Sequence, residues 1–323
     1  MTTPILEAEG LEKKFKDFQA LAGVSFRIAE GEILAYLGHN GAGKTTTIRC
    51  LLGLIRPSAG RVSCMGRRIE YGSPEQEQVR ANFGVCLDGG FYPDVAAIEN
   101  LRFYAGLYGL EGAEFEARAE LLLKKLELYD FRLKPVKTFS KGMTQKLSLI
   151  KALQHKPRLL FLDEPMSGLD PATRIMMREF LLELKKNEKV SVFITSHDLG
   201  EVEQLCDSVI ILEKGRVKLS GTLAELKKAH SGLGIEVHTD RPELGPADAP
   251  LLGQLPGVSA VACRDGVFSL ESSGNISLDE VVALLAGRGI KIAEFRKKEV
   301  SLERIYMDSL EQNEKQISSP AKI

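Results

Sequence analysis

The sequence predicts an α/β protein in two parts, a core spanning residues 1–222 and a small α+β module spanning residues 235–310. Three observations lead there. A short apolar run, Ile33 to Leu37, ends at Gly38 and gives way to a glycine-rich loop and a helical pattern from Lys44 to Ile55. That succession of strand, loop and helix is the opening of a layered α/β unit. Apolar runs at Leu159 to Leu162 and Val190 to Thr195 alternate with helical stretches, as strands buried on both faces do. After Ser231-Gly232-Leu233-Gly234 the pattern changes to short strands and helices, which marks a linker over 223–234 and a second unit beyond it.

The elements follow in order. Ile5 to Glu9 and Leu21 to Ala29 alternate and read as paired antiparallel strands, with turn signals at Lys16-Asp17 and Glu30-Gly31. Pro57-Ser58-Ala59-Gly60 turns into a further strand. From about 93 to 156 the text is helical. Asp94 is placed to cap Ala96 to Tyr108, Glu114 to Leu128 is amphipathic, and Ser140 is placed to cap a third helix through Gln154. Leu159 to Leu162 is a strand, and Asp170 with Pro171 opens a helix to about Lys186. After the strand Val190 to Thr195, Asp198 and Glu201 form a capping box. Ser208 to Leu212 and Arg216 to Leu219 form a hairpin, and Thr222 with Glu225 opens a short helix to about His230. In the second part, Ile235 to Thr239, Ser259 to Cys263, Val267 to Glu271 and Ile290 to Phe295 read as strands. Ala249 to Leu255, Leu278 to Arg288 and Ser301 to Leu310 read as helices, the first weakly, and 311–323 as a polar, disordered tail.

Composition narrows the class. The chain has 323 residues, 44% hydrophobic and 27% charged, which is ordinary for a globular protein. The five cysteines are scattered and free of C-x-x-C spacing, so neither a disulfide framework nor a zinc site is expected, and a reducing compartment fits. A formal net charge of −1 argues against nucleic acid as the main partner. The first residues show no basic stretch followed by an apolar run, so no secretory signal is expected. The longest apolar runs fall far short of the ~20 residues of a spanning helix. A membrane role is therefore expected only through a partner.

The chemistry begins at Gly38-His39-Asn40-Gly41-Ala42-Gly43-Lys44-Thr45, with Thr46 next, which fits G-x-x-x-x-G-K-[ST]. Glycines let backbone N–H groups turn inward on phosphates, the lysine reaches the β- and γ-oxygens, and the threonine offers a hydroxyl to Mg²⁺. The helix that follows adds its positive end. This is the mark of a P-loop NTPase, and alone it says no more.

The remaining motifs resemble those of the ATP-binding-cassette (ABC) ATPases, in order, from about Ile5 to Thr222. Leu159 to Glu164 looks like that family's Walker B strand. The resemblance implies Mg²⁺ held through Asp163 and a general base at Glu164. Ser167-Gly168-Leu169-Asp170 matches the D-loop, and His197 matches the histidine that contacts the γ-phosphate. Phe139-Ser140-Lys141-Gly142-Met143 stands where the signature Leu-Ser-Gly-Gly-Gln does, keeping Ser140 and Gly142 and departing at Lys141 and Met143. Phe15 falls where relatives stack an aromatic ring on adenine, with Phe18 close enough to compete. Asp88 stands where relatives usually carry a glutamine that meets Mg²⁺ and the attacking water. It either reaches the ion through a water or slows hydrolysis.

The resemblance implies a homodimer that sandwiches two ATP·Mg²⁺ head to tail and powers a separate membrane-spanning subunit from the cytoplasmic face. The signature form and the C-terminal module, ending Val300 to Tyr306, resemble those of bacterial drug, antibiotic and lipid exporter ATPases, which implies export. Phe91, Tyr92, Phe103, Tyr104 and Tyr108 fall where relatives receive the transporter's coupling helix; they are equally at home in a helical core. The competing class is a soluble ABC ATPase acting on ribosomes or chromosomes. Those relatives generally carry two cassettes or a long coiled coil, whereas fewer than a hundred residues separate Lys44 from Ser140 here.

Overall fold

The computed structural model describes residues 4–87, 90–230, 234–272, 276–297 and 300–307. The chain divides into two compact units, Met1–Thr222 and Leu223–Ile323.

The first unit opens with the hairpin β1 (Leu6–Phe15) and β2 (Phe18–Ile28), paired from Leu6 opposite Ile28 to Phe15 opposite Phe18. β1 runs beyond the expected Glu9 because the pairing is irregular between Ala8 and Leu11. Gly10 sits there at φ 56, and its N–H turns to Ser25 Oγ. An extra residue in a ladder flips the face on which side chains fall, which hides the strand from a period-two reading.

β3 (Ile33–Leu37) is buried along its whole length. α1 (Lys44–Leu51) follows and ends before the expected Ile55. Gly53 adopts φ 70, its N–H bonds Cys50 O at 3.0 Å, and Leu54 N–H bonds Arg49 O at 2.9 Å. Those two bonds close the helix with a left-handed glycine. Then come β4 (Ala59–Cys64), β5 (Arg67–Arg68), α2 (Pro74–Arg80) and β6 (Phe83–Cys86).

The helical part holds α3 (Ala97–Gly106), α4 (Gly112–Lys125) and α5 (Lys141–Leu153). Asp94 does not cap α3; its carboxylate pairs with Lys137 at 2.5 Å. The backbone carbonyls of Lys134 and Arg132 take the N–H groups of Ala97 and Ile98 instead, at 3.0 and 2.9 Å. The buried Asn100 amide donates to Tyr92 O, Val95 O and Ala96 O and accepts from Tyr92 N–H, so one side chain satisfies the turn before the helix. Ser140 does cap α5, accepting from Met143 N–H at 3.2 Å.

β7 (Leu159–Asp163), α6 (Pro171–Glu188), β8 (Ser191–Ser196), α7 (Leu199–Leu205), β9 (Ser208–Glu213) and β10 (Arg216–Thr222) complete the unit. One sheet runs β2-β1-β4-β5, antiparallel throughout; the other runs β10-β9-β3-β8-β7-β6, parallel except at the β10–β9 edge.

The strand interiors carry an aromatic cluster. Tyr36 and Phe193 ring centroids are 5.2 Å apart, Phe161 and Phe193 5.8 Å, and Phe83 and Phe161 5.2 Å. Tyr36 Oη lies 3.0 Å from Thr47 Oγ1, which ties β3 to α1, and burial pushes the tyrosine's pKa up. Phe161 is fully buried. Phe161→Ala is expected to cost about 3–5 kcal/mol, read in denaturant titration as a lower midpoint with unchanged slope; a midpoint close to the parent's would count against this core.

The second unit begins with α8 (Leu223–His230), the short helix expected after Thr222. Residues 231–233 and the tail 311–323 lie outside the described residues. β11 (Ile235–Thr239), the short α9 (Pro250–Gly253), β12 (Val258–Arg264), β13 (Val267–Ser272), α10 (Leu278–Ala286) and β14 (Ile292–Lys297) follow. The strands form one antiparallel sheet, β12-β13-β11-β14. Its core is Val237, Leu252, Cys263, Phe268, Leu270, Val281 and Leu285. β14 starts later than expected because Ile290 is buried in the turn after Gly289, at φ 69. Among the described residues no helix is long and apolar enough to cross a membrane.

Candidate functional site

Three neighbouring strands, β3, β8 and β7, end at one edge of the larger sheet, and each feeds a loop into the same region. In an open α/β sheet, ligands bind beyond the carboxyl ends of the strands. Here that edge opens into a cleft of about 480 Å³.

The loop after β3 is built by its glycines. Gly41 and Gly43 sit at φ 84 and 114, and a Cβ on Gly43 would stand 2.7 Å from Ala20 O, so only glycine fits there. No side chain caps α1 and no acid lies in its first turn, which leaves the positive end of the helix facing the cleft. Lys44 is only 7% exposed. Its ammonium donates to Gly38 O at 2.6 Å and lies 3.5 Å from Glu164 Oε1.

The β7 end presents two acids differently. Asp163 accepts a 2.5 Å hydrogen bond from Thr195 Oγ1, and the same hydroxyl accepts from Glu164 N–H at 3.0 Å. Glu164 itself is at φ 45, a left-handed conformation unusual for a non-glycine residue. Its carboxylate spans two partners, since Oε1 faces Lys44 and Oε2 lies 3.0 Å from His197 Nδ1.

His39, Asn40, Gly41, Gly43, Lys44, Thr45, Thr46, Lys141, Asp163 and Glu164 line the cleft. Gly38 holds the Lys44 ammonium, and Ala42 is buried behind the loop, where its carbonyl takes Gly215 N–H at 3.0 Å. His197 lines a smaller hollow on the other side of Glu164. Ser140 and Asp170 spend their side chains as helix caps. Asp170 accepts from Thr173 N–H and Oγ1, which lowers its pKa. Met143 donates its N–H to Ser140, and Gly142 packs loosely toward Thr173 and Leu169. Lys141 folds back against Gly168 of its own chain. Phe15 does not line the cleft, whereas Phe18 does; the two face each other across the hairpin turn, 46% and 61% exposed. Asp88 lies outside the described residues.

Sequence reasoning did not single out Ala20 or Thr195, and it read Gln145 only as the start of the run that continues the signature. Gln145 falls on the cleft face of α5, its amide 3.8 Å from Cys86 Sγ. Thr195 could have been found as a hydroxyl closing an otherwise apolar strand beside two acids.

The donor set suits magnesium. Thr45 offers a hydroxyl and Asp163 a carboxylate, and among the described residues no group of three or more His, Cys, Asp or Glu could hold an ion alone. Mg²⁺ is bound by one or two protein oxygens, completed by phosphate oxygens and water.

A second surface lies on the helical part. Tyr92, Phe103, Leu107 and Tyr108 are exposed. Below them Lys151 Nζ sits 4.8 Å from the ring centroids of both Phe91 and Tyr104, and burial lowers its pKa.

Comparison with known proteins matches residues 21–167 to a family described as "ABC transporter", and residues 221–310 to one described as "ATP-binding protein DrrA1-3-like, C-terminal domain". An uncharacterized ABC transporter ATP-binding protein of Bacillus subtilis, YhaQ, is 33% identical over 308 residues, covering 95% of this chain and 98% of the relative. The daunorubicin resistance ATP-binding protein DrrA3 of Streptomyces coeruleorubidus is 32% identical over 315 residues, covering 95% and 96%. Among solved structures, CbiO1 from Clostridium perfringens, titled as part of the ABC transporter complex CbiONQ, is 29% identical. It superposes with a TM-score of 0.63 over 70% of this chain and 91% of its own.

Proposed function

This chain belongs to the ABC transporter ATP-binding proteins and is an ATPase, and from that premise we propose that it binds Mg·ATP in a head-to-tail homodimer and drives export by a separate membrane-spanning subunit. The observation that carries the catalytic reading is the single cleft in which Lys44, Asp163 and Glu164 meet, with His197 on the far oxygen of Glu164. The phosphates lie on the glycine loop, with Lys44 exchanging its carboxylate neighbour for γ-phosphate oxygens. Glu164 takes a proton from the attacking water as the water oxygen bonds to phosphorus and the bond to the ADP oxygen breaks. His197 holds Glu164 and the γ-phosphate in line. Mg²⁺, bound through Thr45 and Asp163, supplies charge neutralisation of the phosphate oxygens. In the dimer, the Ser140 end of α5 closes over the γ-phosphate of the partner's site.

The adenine stacks on the aromatic turn of the first hairpin. Stacking of a base on an aromatic ring is worth about 1–3 kcal/mol. The double variant Phe15→Ala/Phe18→Ala should therefore raise the KM for ATP about tenfold, and the single variants identify the ring that carries it. An unchanged KM in the double variant would remove the stacking assignment.

Export is supported by the relative named for daunorubicin resistance and by the DrrA-like match over residues 221–310. No described helix is long and apolar enough to cross a bilayer, and crossing is assigned to another chain. CbiO1, described as part of a transporter complex, favours such an arrangement. The exposed rings of Tyr92, Phe103 and Tyr108 offer that subunit an apolar seat, on the cytoplasmic face of the membrane. The near-zero net charge speaks against nucleic acid. The test is co-purification of the tagged chain from gently solubilised native membranes. A polytopic membrane protein is expected in fixed stoichiometry; recovery with ribosomes or DNA-associated proteins would overturn the transporter assignment.

A further inference from the structure

The loop that leaves β7 through Glu164 and the loop that leaves β8 through His197 are joined by one side chain that belongs to neither. Arg174 lies in α6, one turn after the Asp170 cap. Its Nε donates to Leu169 O at 3.1 Å, at the end of the first loop. Its Nη1 donates to Asp198 Oδ2 at 3.4 Å, next to His197 in the second loop, and lies 3.9 Å from Glu201 Oε1. One turn further on, Arg178 faces the other oxygen of Glu201 at 3.5 Å.

Asp198 is held from two sides. Oδ1 caps α7 by accepting Glu201 N–H at 3.1 Å, while the Asp198 N–H donates to Ser196 Oγ at 3.0 Å. The carboxylate oxygen left over is the one that meets Arg174. A hollow of about 50 Å³, room for a few waters, lies among Glu164, Gly168, Arg174, His197 and Asp198, so both loops and Arg174 border one small space.

The side chains of Arg174 and Asp198 are 34% and 44% exposed. Ion pairs so exposed add little stability, so the value of this one lies in geometry. A guanidinium fork binds a carbonyl and a carboxylate at once in fixed directions, which an ammonium cannot do.

We infer that Arg174 is a positioning residue for hydrolysis. It locks the loop of residues 164–170 to the His197–Asp198 loop, and so fixes the 3.0 Å approach of His197 to Glu164. The inference rests on the reading in which Glu164 and His197 serve the reaction. The polar partners of Arg174 are Leu169, Asp198 and Glu201, and it does not line the phosphate cleft, so its loss should leave ATP binding little changed.

The experiment is steady-state ATPase kinetics on the full chain, with rates normalised to the folded fraction of each variant. Arg174→Ala is expected to lower kcat about tenfold or more, as a displaced catalytic group does, with KM for ATP within about twofold. Asp198→Asn keeps the helix cap, since asparagine caps as well as aspartate, and loses only the charge that Arg174 meets; it should fall by a similar factor. The double variant should be no slower than the slower single one, because the two act as a unit. Arg174→Lys should recover only a small part, and millimolar guanidinium ion should raise the rate of Arg174→Ala but not of the parent.

Arg174→Ala within twofold of the parent kcat, or losses that multiply in the double variant, would overturn the inference. Glu164→Gln measured alongside separates the two levels. If that variant is inactive while Arg174→Ala is normal, only the positioning role falls; if it turns over normally, the catalytic reading falls and this inference with it.

Discussion

Glu164→Gln is expected to bind ATP with near-parental affinity and to hydrolyse it at least a hundredfold more slowly, the scale on which a positioned general base contributes. The substitution keeps the shape of the side chain and an oxygen that can accept from His197, but removes the group that takes the water's proton. Lys44 keeps its 2.6 Å bond to Gly38 O, so the phosphate loop retains its form. The affinity is to be measured by nucleotide titration and the rate by single-turnover hydrolysis. With ATP present the variant should elute as a stable dimer, because bound γ-phosphate is no longer removed. Turnover near the parent's rate would sink the general-base assignment.

Lys44→Ala acts on the other half of the site. The ammonium is buried and lines the cleft together with Gly41 and Gly43. Hydrogen bonds from a charged donor are worth about 1.5–3 kcal/mol. Losing them should weaken ATP binding roughly tenfold to a hundredfold, as calorimetry would read, and hydrolysis should fall below detection at ordinary nucleotide concentrations. Lys44→Arg should not rescue, because a planar fork does not fit a space shaped for a compact ammonium. Undiminished affinity in Lys44→Ala would remove the phosphate-site reading.

Much of this was legible in the chain because the informative features are local. A buried parallel strand announces itself as a run such as Leu159 to Leu162, and the glycine loop is a contiguous string whose backbone demands fix its residue types. The α/β class and the antiparallel and helical parts of the core followed from such strings. What escaped the sequence depends on partners far along the chain. The reach of β1 was hidden by an irregular pairing with β2, which scrambles the alternation of side chains. Asp94 looked like a helix cap, but the N–H groups it would have met are taken by carbonyls of residues 132 and 134. Which of Phe15 and Phe18 faces the cleft turns on the hairpin's twist, which no local pattern records. Thr195 is silent in the sequence because its importance comes from the strand beside it, where one hydroxyl serves both Asp163 and Glu164.

The adjacency of β3, β8 and β7 has a consequence for how this protein fails. Strands in a sheet sit about 4.8 Å apart, a distance set by backbone hydrogen bonds and not by the packing of side chains. The strand ends from which the loops bearing Lys44, His197 and Glu164 depart inherit that spacing, so the frame beneath the site is a ruler rather than a spring, and the Arg174 bridge has only the loops above it to set. A damaged interior, whether from heat or from a truncated core residue, removes molecules from service without detuning those that remain. A sample losing activity on warming should be losing headcount, with each surviving copy running at full rate until its own sheet gives way.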